Sequence, residues 1–235
     1  MDIATIITPT DHITIMIDNG ALLRLITWLS PAFPVGAFSY SHGIEQAIHH
    51  GLVHDRQSLE DWLIDILNEG SGWNDAVLFA QSHQIAKSGS DFSQIADLAE
   101  ALAGSRERHM ETMLQGEAFL SAAQAWPNPV SERLPSRVAS PVAVGAIAGA
   151  HGIEIEAALC AFLHGFISNL IQGAVRLVPL GQRDGVAILA GLEEQIQSCS
   201  SKAAKSTLDN LGTCAVISDI MAMRHETQYS RVFRS

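Results

Sequence analysis

Three side chains in the first quarter of the chain have the types and spacing of metal ligands. His42, Glu45 and His49 lie at positions i, i+3 and i+7, so in a helix they could share one face. Imidazole and carboxylate groups at this spacing could hold nickel or zinc. In a structural alternative, His42 and Glu45 form hydrogen bonds near the start of a helix, while His49 and His50 are surface residues. The sequence leaves both interpretations open.

Short motifs of common catalytic sites are missing. A P-loop needs a glycine-rich turn followed by lysine, and none of the chain's three lysines follows one. Arg224-His225-Glu226 lacks the second histidine of H-E-x-x-H, and no G-x-S-x-G elbow occurs. We therefore expect a protein that catalyses no reaction, with a helical hydrolase of unrecognised site as the enzymatic alternative.

Composition narrows the classes of partner. The chain has 235 residues, a formal net charge of -11, 47% hydrophobic residues and 17% charged residues. Without a basic stripe, neither nucleic acid nor an anionic membrane is an expected partner. The low charge content indicates a large core, apolar surface covered by a protein partner, or both.

The cysteines and the N-terminal segment indicate the cellular compartment. The chain has an odd number of cysteines, Cys160, Cys199 and Cys214, and no pair has C-x2-C spacing. The first twenty residues lack the basic region and cleavage pattern of a signal peptide. We therefore expect a cytoplasmic protein.

Apolar spacing predicts helices almost throughout. Leu59, Trp62, Leu63, Ile66 and Leu67 follow the i, i+3, i+4, i+7, i+8 pattern, and similar runs recur later. Start and stop signals divide the chain into about nine or ten helices in one all-α, bundle-like domain, with extended N- and C-terminal arms. Among these signals, Gly70 and Gly72 are expected to break the helix that contains Trp62. The exception is a period-two alternation of isoleucines, which predicts a short strand or an extended arm at Ile13, Ile15 and Ile17.

One uncharged stretch, residues 157–175, approaches the length of a membrane span. It contains His164, Ser168, Asn169 and Gln172, polar groups that would need partners at bilayer depth. The pattern favours a central buried helix over a membrane span.

Three other segments have unusual composition. Residues 30–46 form a proline-interrupted apolar loop, either packed into the core or used in a subunit contact. Arg176 follows the long apolar helix, where it could complement the helix dipole or bind a carboxylate. Residues 223–235 combine three arginines with Tyr229 and Phe233, a mixture typical of interface anchors rather than of a disordered end.

Together these segments resemble the UreF family of urease accessory proteins. Residues 30–46 resemble the family's SP-x-FPVG-x-FSYSHG-x-E pattern, residues 175–182 resemble V-[KR]-x-x-PLGQ, and residues 225–235 resemble HE-x-QY-x-RLFRS. The resemblance covers about residues 22–235. Val232 stands where the family usually has leucine, and residues 1–20 and 208–217 match no family motif.

The resemblance implies a homodimer that assembles with UreD (also called UreH) and the GTPase UreG on apo-urease. It further implies coupling of GTP hydrolysis to nickel insertion, with no cofactor other than nickel in transit. A nickel-binding metallochaperone that acts through the His42, Glu45 and His49 face is the alternative.

Specific residues follow from the matched motifs. Arg231 is expected to order the segment that receives the GTPase, with Arg176 as a neighbour that steadies it. The same partner surface is expected to include His225, Glu226, Tyr229, Phe233, Arg234 and Ser235. The early motif is expected to line a dimer contact or a nickel path with Phe33, Pro34, Tyr40, His42 and Glu45. We divide the chain into an arm (1–20), a helical domain (21–227) and an interaction tail (228–235).

Overall fold

The computed structural model describes residues 18–234 and is all-helical, as the sequence predicts. Within these residues it contains eleven α-helices, two 3₁₀ turns and no strand. The helices are α1 Asn19–Trp28, α2 Ile44–His49, α3 Arg56–Glu69, α4 Ser71–Ser88, α5 Ser93–Ala101, α6 Arg106–Ala123, α7 Ser140–Ala150, α8 Ile155–Ala174, α9 Gln182–Gly191, α10 Glu193–Ala204 and α11 Val216–His225. The 3₁₀ turns are Ala37–Ser39 and Leu208–Asn210. The predicted strand at Ile13, Ile15 and Ile17, most of the predicted N-terminal arm, and Ser235 lie outside the described residues.

Local signals account for many helix boundaries. Asp55 caps α3 by accepting a hydrogen bond from Ser58 N–H, and the Ser58 side chain completes a capping box. Gly89 ends α4 in the left-handed conformation, and Pro141 lies in the first turn of α7. The prediction that Gly72 breaks a helix is wrong. Only Gly70 separates α3 from α4, because α4 begins one residue later and includes Gly72.

The centre of the core is the contact between α4 and α7. A Cβ atom built on Gly145 would lie 2.3 Å from the carbonyl oxygen of Phe79, and one built on Gly149 would lie 2.5 Å from that of His83. These glycines therefore allow the two helix backbones to approach closely. The Ser82 hydroxyl adds a buried hydrogen bond of 2.7 Å to the Val142 carbonyl.

Helix α8 contains almost all of the uncharged stretch, residues 157–175, that the sequence singled out. It is long and apolar enough to span a membrane, and half of its most apolar 18-residue window is buried within the protein. It contacts α2, α3, α4, α7, α9 and α10, which cover its buried side. Its position is that of a core helix, as the sequence favoured.

The packing of α11 against α2 brings the early motif (residues 30–46) and the C-terminal motif (residues 225–235) together. Gly43 precedes α2 with a φ of 77°, and a Cβ atom there would lie 2.6 Å from the Ala222 nitrogen of α11. Only glycine combines this backbone conformation with so close a contact. The packing places the C-terminal end of α11, and the tail after it, beside α2 and α6.

Candidate functional site

The C-terminal tail, residues 228–235, folds back onto the domain and is held there by a buried carboxylate. Val232 N–H donates to Glu45 Oε1 at 2.7 Å, and Phe233 N–H donates to Glu45 Oε2 at 2.9 Å. The Glu45 side chain is only 7% exposed. One carboxylate of α2 therefore binds two consecutive backbone amides of the tail.

His225, at the end of α11, joins this carboxylate to a second one. Its Nε2 lies 3.2 Å from Glu45 Oε2, and its Nδ1 lies 2.7 Å from Glu107 Oε2 of α6. The imidazole is completely buried. The imidazole therefore bridges two carboxyl groups, with Glu45 at Nε2 and Glu107 at Nδ1.

Glu107 also binds the tail through a side chain. Arg231 Nη1 donates to Glu107 Oε1 at 2.5 Å. The neighbouring Glu226 accepts a 2.8 Å hydrogen bond from the Arg106 N–H at the start of α6. A carboxylate at a helix N-terminus satisfies a free N–H and complements the helix dipole. Both contacts attach the end of the chain to α6.

The last described residues pack against α8 and the early motif. Phe233 is buried, and its ring lies against Gly173 of α8. Arg234 N–H donates to the Ser39 carbonyl at 2.7 Å, and its side chain hydrogen-bonds to the buried Tyr40. Burial, with the charge of Glu111, raises the pKa of Tyr40 despite this arginine. Residues of the early and C-terminal motifs therefore form one site, with Glu45 and Phe233 in contact across 188 positions of the chain.

A second buried polar network is centred on Glu111 of α6. His42 Nε2 donates to Glu111 Oε1 at 2.9 Å, and its Nδ1 lies 3.2 Å from Ser71 Oγ. Arg108 forms ion pairs with Asp75 and, at 3.4 Å, with Glu111. Burial raises the pKa of Asp75, although Arg108 opposes this. Burial would also raise the pKa of Glu111, but His42 and Arg108 bring it below its ordinary value.

The hypothesis of a metal-binding helix face is wrong for this structure. Helix α2 begins at Ile44, and His42 lies before it with a φ of 50°, so helical spacing does not apply to it. His42 faces Glu111 and Glu45 faces the tail, whereas His49 is exposed. Across residues 18–234 no group of three His, Cys, Asp or Glu side chains is arranged to hold a metal ion. The alternative of hydrogen bonds near the helix start, with His49 and His50 on the surface, is confirmed.

The early motif divides between core and surface. Phe33 is partly buried, with its ring centroid 5.6 Å from that of Phe119 and 6.4 Å from that of Trp126. Tyr40 and His42 are buried, whereas Pro34 is exposed. The loop is therefore packed against the core. A role for these residues in a dimer contact or a nickel path stays a prediction.

Arg176 is not among the residues that hold the tail. It is exposed just beyond the end of α8, and its side chain forms no hydrogen bond or ion pair with residues 18–234. Arg231 is instead paired with Glu107. Tyr229 is fully exposed and Val232 is 66% exposed, so the tail presents an aromatic and an aliphatic side chain to solvent. Ser235 lies outside the described residues.

Three site residues of α6 were not predicted from the sequence, namely Glu107, Arg108 and Glu111. A signal for the two carboxylates was present in their spacing. They are four residues apart on one helix, where like charges destabilise unless each has a partner. They are buried and paired with His225 and His42 respectively.

The fold and site define an all-helical protein whose C-terminal tail is bound by buried carboxylates. The sequence model of the UreF family matches residues 53–193. The urease accessory protein UreF of Mesorhizobium japonicum is 60% identical over 215 residues, which are 92% of this chain and 96% of that protein. UreF of Brucella ovis is 55% identical over 231 residues, covering 98% of this chain and all of that protein. UreF 1 of Brucella canis is 58% identical over 92% of this chain and 94% of its own length. The chain belongs to the UreF family.

Proposed function

We propose that this UreF-family protein is a non-catalytic accessory protein of urease maturation. It assembles with UreD (UreH) and the GTPase UreG on apo-urease and couples GTP hydrolysis to nickel insertion. Family membership supports the role in maturation, since the relatives are named urease accessory proteins. The absence of a P-loop from the sequence fits a protein that acts on a GTPase rather than one that hydrolyses GTP.

The observation that carries the proposal is a tail whose backbone is bound to the domain while an aromatic side chain stays exposed. Glu45 and Glu107 hold the tail at Val232, Phe233 and Arg231. Tyr229 is left fully exposed. Aromatic and arginine side chains are enriched among residues that dominate binding energy, and a fixed backbone lowers the entropy lost on binding. We therefore propose the docked tail as the surface that receives UreG, beside or together with UreD.

We also propose a cytoplasmic homodimer in which nickel passes in transit and no resident cofactor is needed. Three large apolar residues of α1, Leu22, Leu23 and Ile26, are exposed at 42%, 66% and 60%. This surface supports coverage by a second protein surface. The net charge of -11 fits a protein with no nucleic-acid partner.

The proposal is tested by co-expression with UreD and UreG, followed by size-exclusion chromatography and measurement of GTP turnover. We expect co-elution of the three proteins, urease activation that depends on this chain, and no turnover by this chain alone. Urease activated equally well in its absence, or GTP hydrolysis by the purified chain, would contradict the proposal.

A further inference from the structure

We infer that Glu45 is the positioning residue of the C-terminal tail, whose carboxylate decides whether the tail backbone is docked on the domain. The inference rests on the proposed function only in taking the docked tail as the form that a partner receives. The docking itself is a property of the isolated chain.

Glu45 positions the tail by binding its backbone rather than its side chains. Each oxygen of the Glu45 carboxylate accepts one tail amide, from Val232 at 2.7 Å and from Phe233 at 2.9 Å. Hydrogen bonds to a charged acceptor are the stronger kind, and here two consecutive ones fix both the position and the direction of a bent segment of the tail. Because main-chain groups are bound, the docking does not depend on the exposed Val232 side chain.

The state with the tail released is costly for the same carboxylate. Of its partners in the described residues, Glu45 would keep the His225 contact of 3.2 Å and lose the two tail amides. Its 7% exposure belongs to the docked state, in which the tail itself helps to cover the carboxylate. Release exchanges two charge-assisted hydrogen bonds for contacts with water, and the net loss favours the docked tail.

The other tail contacts are weaker candidates for this role. The Arg231 side chain is 39% exposed, so solvent screens its ion pair with Glu107. The hydrogen bond from Arg234 N–H goes to the neutral carbonyl of Ser39. Phe233 contributes apolar burial, which has no directional requirement. Only Glu45 combines charge, burial and two backbone partners.

The first test is residue-resolved amide hydrogen exchange on the isolated, ¹⁵N-labelled full-length protein. In Glu45→Gln one amide of the tail faces an NH₂ group instead of an oxygen, so we expect exchange at Val232 and Phe233 to be at least about tenfold faster. Amides in α4 and α7 should exchange at unchanged rates. Glu100→Gln, at a half-exposed position on α5, is the control that should leave the tail protected.

A second pair of variants changes the tail instead of α2. Val232→Pro removes the N–H that donates to Glu45 Oε1, whereas Val232→Ala keeps this N–H and shortens only the exposed side chain. We expect faster exchange at Phe233 in the proline variant and wild-type exchange in the alanine variant. Both changes lie outside the helical domain, so folding is not at risk. Wild-type exchange at the tail amides in both Glu45→Gln and Val232→Pro would overturn the inference.

Glu45 could act by positioning the tail or only by stabilising the fold. To separate the two roles, Glu45→Gln is compared in the full-length chain and in a chain that lacks residues 231–235. If Glu45 acts through the tail, Glu45→Gln should weaken capture of UreG by the UreD complex in the full-length chain. It should also lower the free energy of unfolding less in the shortened chain than in the full-length chain. An equal lowering of that free energy in both chains would show that Glu45 acts on the fold instead. Faster exchange with undiminished capture of UreG would leave the positioning role intact and contradict the proposed function of the tail.

Discussion

Glu107 and Arg231 form an ion pair across 124 positions of the chain, with Arg231 Nη1 2.5 Å from Glu107 Oε1. Glu107 is also the partner of the buried His225, so a single carboxylate of α6 contacts both the end of α11 and the tail. The arginine that the sequence marks as an interface residue is therefore first an internal contact of the folded chain.

Replacing Arg231 with alanine should separate tail order from global stability. Because Arg231 is 39% exposed, solvent screens the ion pair, and we expect a loss of less than about 1 kcal/mol in the free energy of unfolding. Recruitment of UreG should fall by about tenfold or more, the scale of a binding hot spot. Chemical denaturation and pull-down measure the two effects. Arg224→Ala, an exposed change in α11, is the control, and equal loss of recruitment in both variants would argue against a specific role of Arg231.

Tyr229 should matter for partner binding and not for the fold. Its side chain is fully exposed, so Tyr229→Ala should change the free energy of unfolding by no more than about 0.5 kcal/mol. Loss of a central aromatic anchor typically costs about 2 kcal/mol or more of binding energy. Titration calorimetry or biolayer interferometry with UreG and the UreD complex would measure this loss. With the neighbouring exposed change Ser230→Ala as reference, unchanged affinity in Tyr229→Ala would remove Tyr229 from the partner surface.

Much of the fold was predictable from the sequence because helix signals are local. A capping residue, a glycine or a proline acts within one turn of the helix end that it defines. Examples are the capping residues of α3, the glycine that ends α4 and the proline in the first turn of α7. The long uncharged stretch within α8 likewise identified a central helix. Gly72 was misread because glycine is tolerated inside a helix where another backbone or side chain packs closely, as α3 and Phe166 do here.

The site was predictable only in part, because its contacts join distant positions. The motif pattern indicated that His225, Arg231 and Phe233 act together, but periodicity gives no information on which carboxylates receive them. Glu45 and Glu107 belong to different helices, and their pairing with the tail follows from the packing of α11 against α2 and α6. The metal-ligand hypothesis failed for a related reason, since the left-handed backbone at His42 interrupts the assumed helical spacing.

Substitution of Gly145 should destabilise the core without touching the tail. A Cβ atom at this position would lie 2.3 Å from the Phe79 carbonyl oxygen, so α4 and α7 would have to move apart. We expect Gly145→Ala to lower the free energy of unfolding by about 1–3 kcal/mol or more. Gly104→Ala provides a matched control, since no atom lies within 4 Å of the added Cβ. Equal stability of the two variants in urea denaturation would contradict the close packing of α4 and α7.

Acidification should lower the free energy of unfolding through the buried imidazole of His83 in α4. Burial lowers the pKa of His83 below its ordinary value of 6.5, and its Nε2–H donates to the Ile153 carbonyl at 2.8 Å. The unfolded chain therefore takes up a proton before the folded chain does. The stabilisation by neutral His83 is complete above pH 6.5 and is lost as the pH falls through the lowered pKa.

The corresponding measurement is the free energy of unfolding at pH 7.5 and pH 5.5 (about one unit either side of the ordinary value) for wild type and His83→Gln. We expect the loss on acidification to be smaller in the variant, because glutamine does not titrate. The exposed change His49→Gln should behave as wild type. A pH dependence that is identical in wild type and His83→Gln would show that His83 does not contribute to acid sensitivity.

The central claim, that the docked tail is the surface for partner recruitment, is tested most directly by deleting residues 229–235. The measurement is capture of UreG by the complex of this chain with UreD, with circular dichroism to verify that the helical domain remains folded. The account predicts that the shortened chain keeps its helices and fails to recruit UreG. A folded, shortened chain that captures UreG with the same affinity as the full-length chain would contradict it.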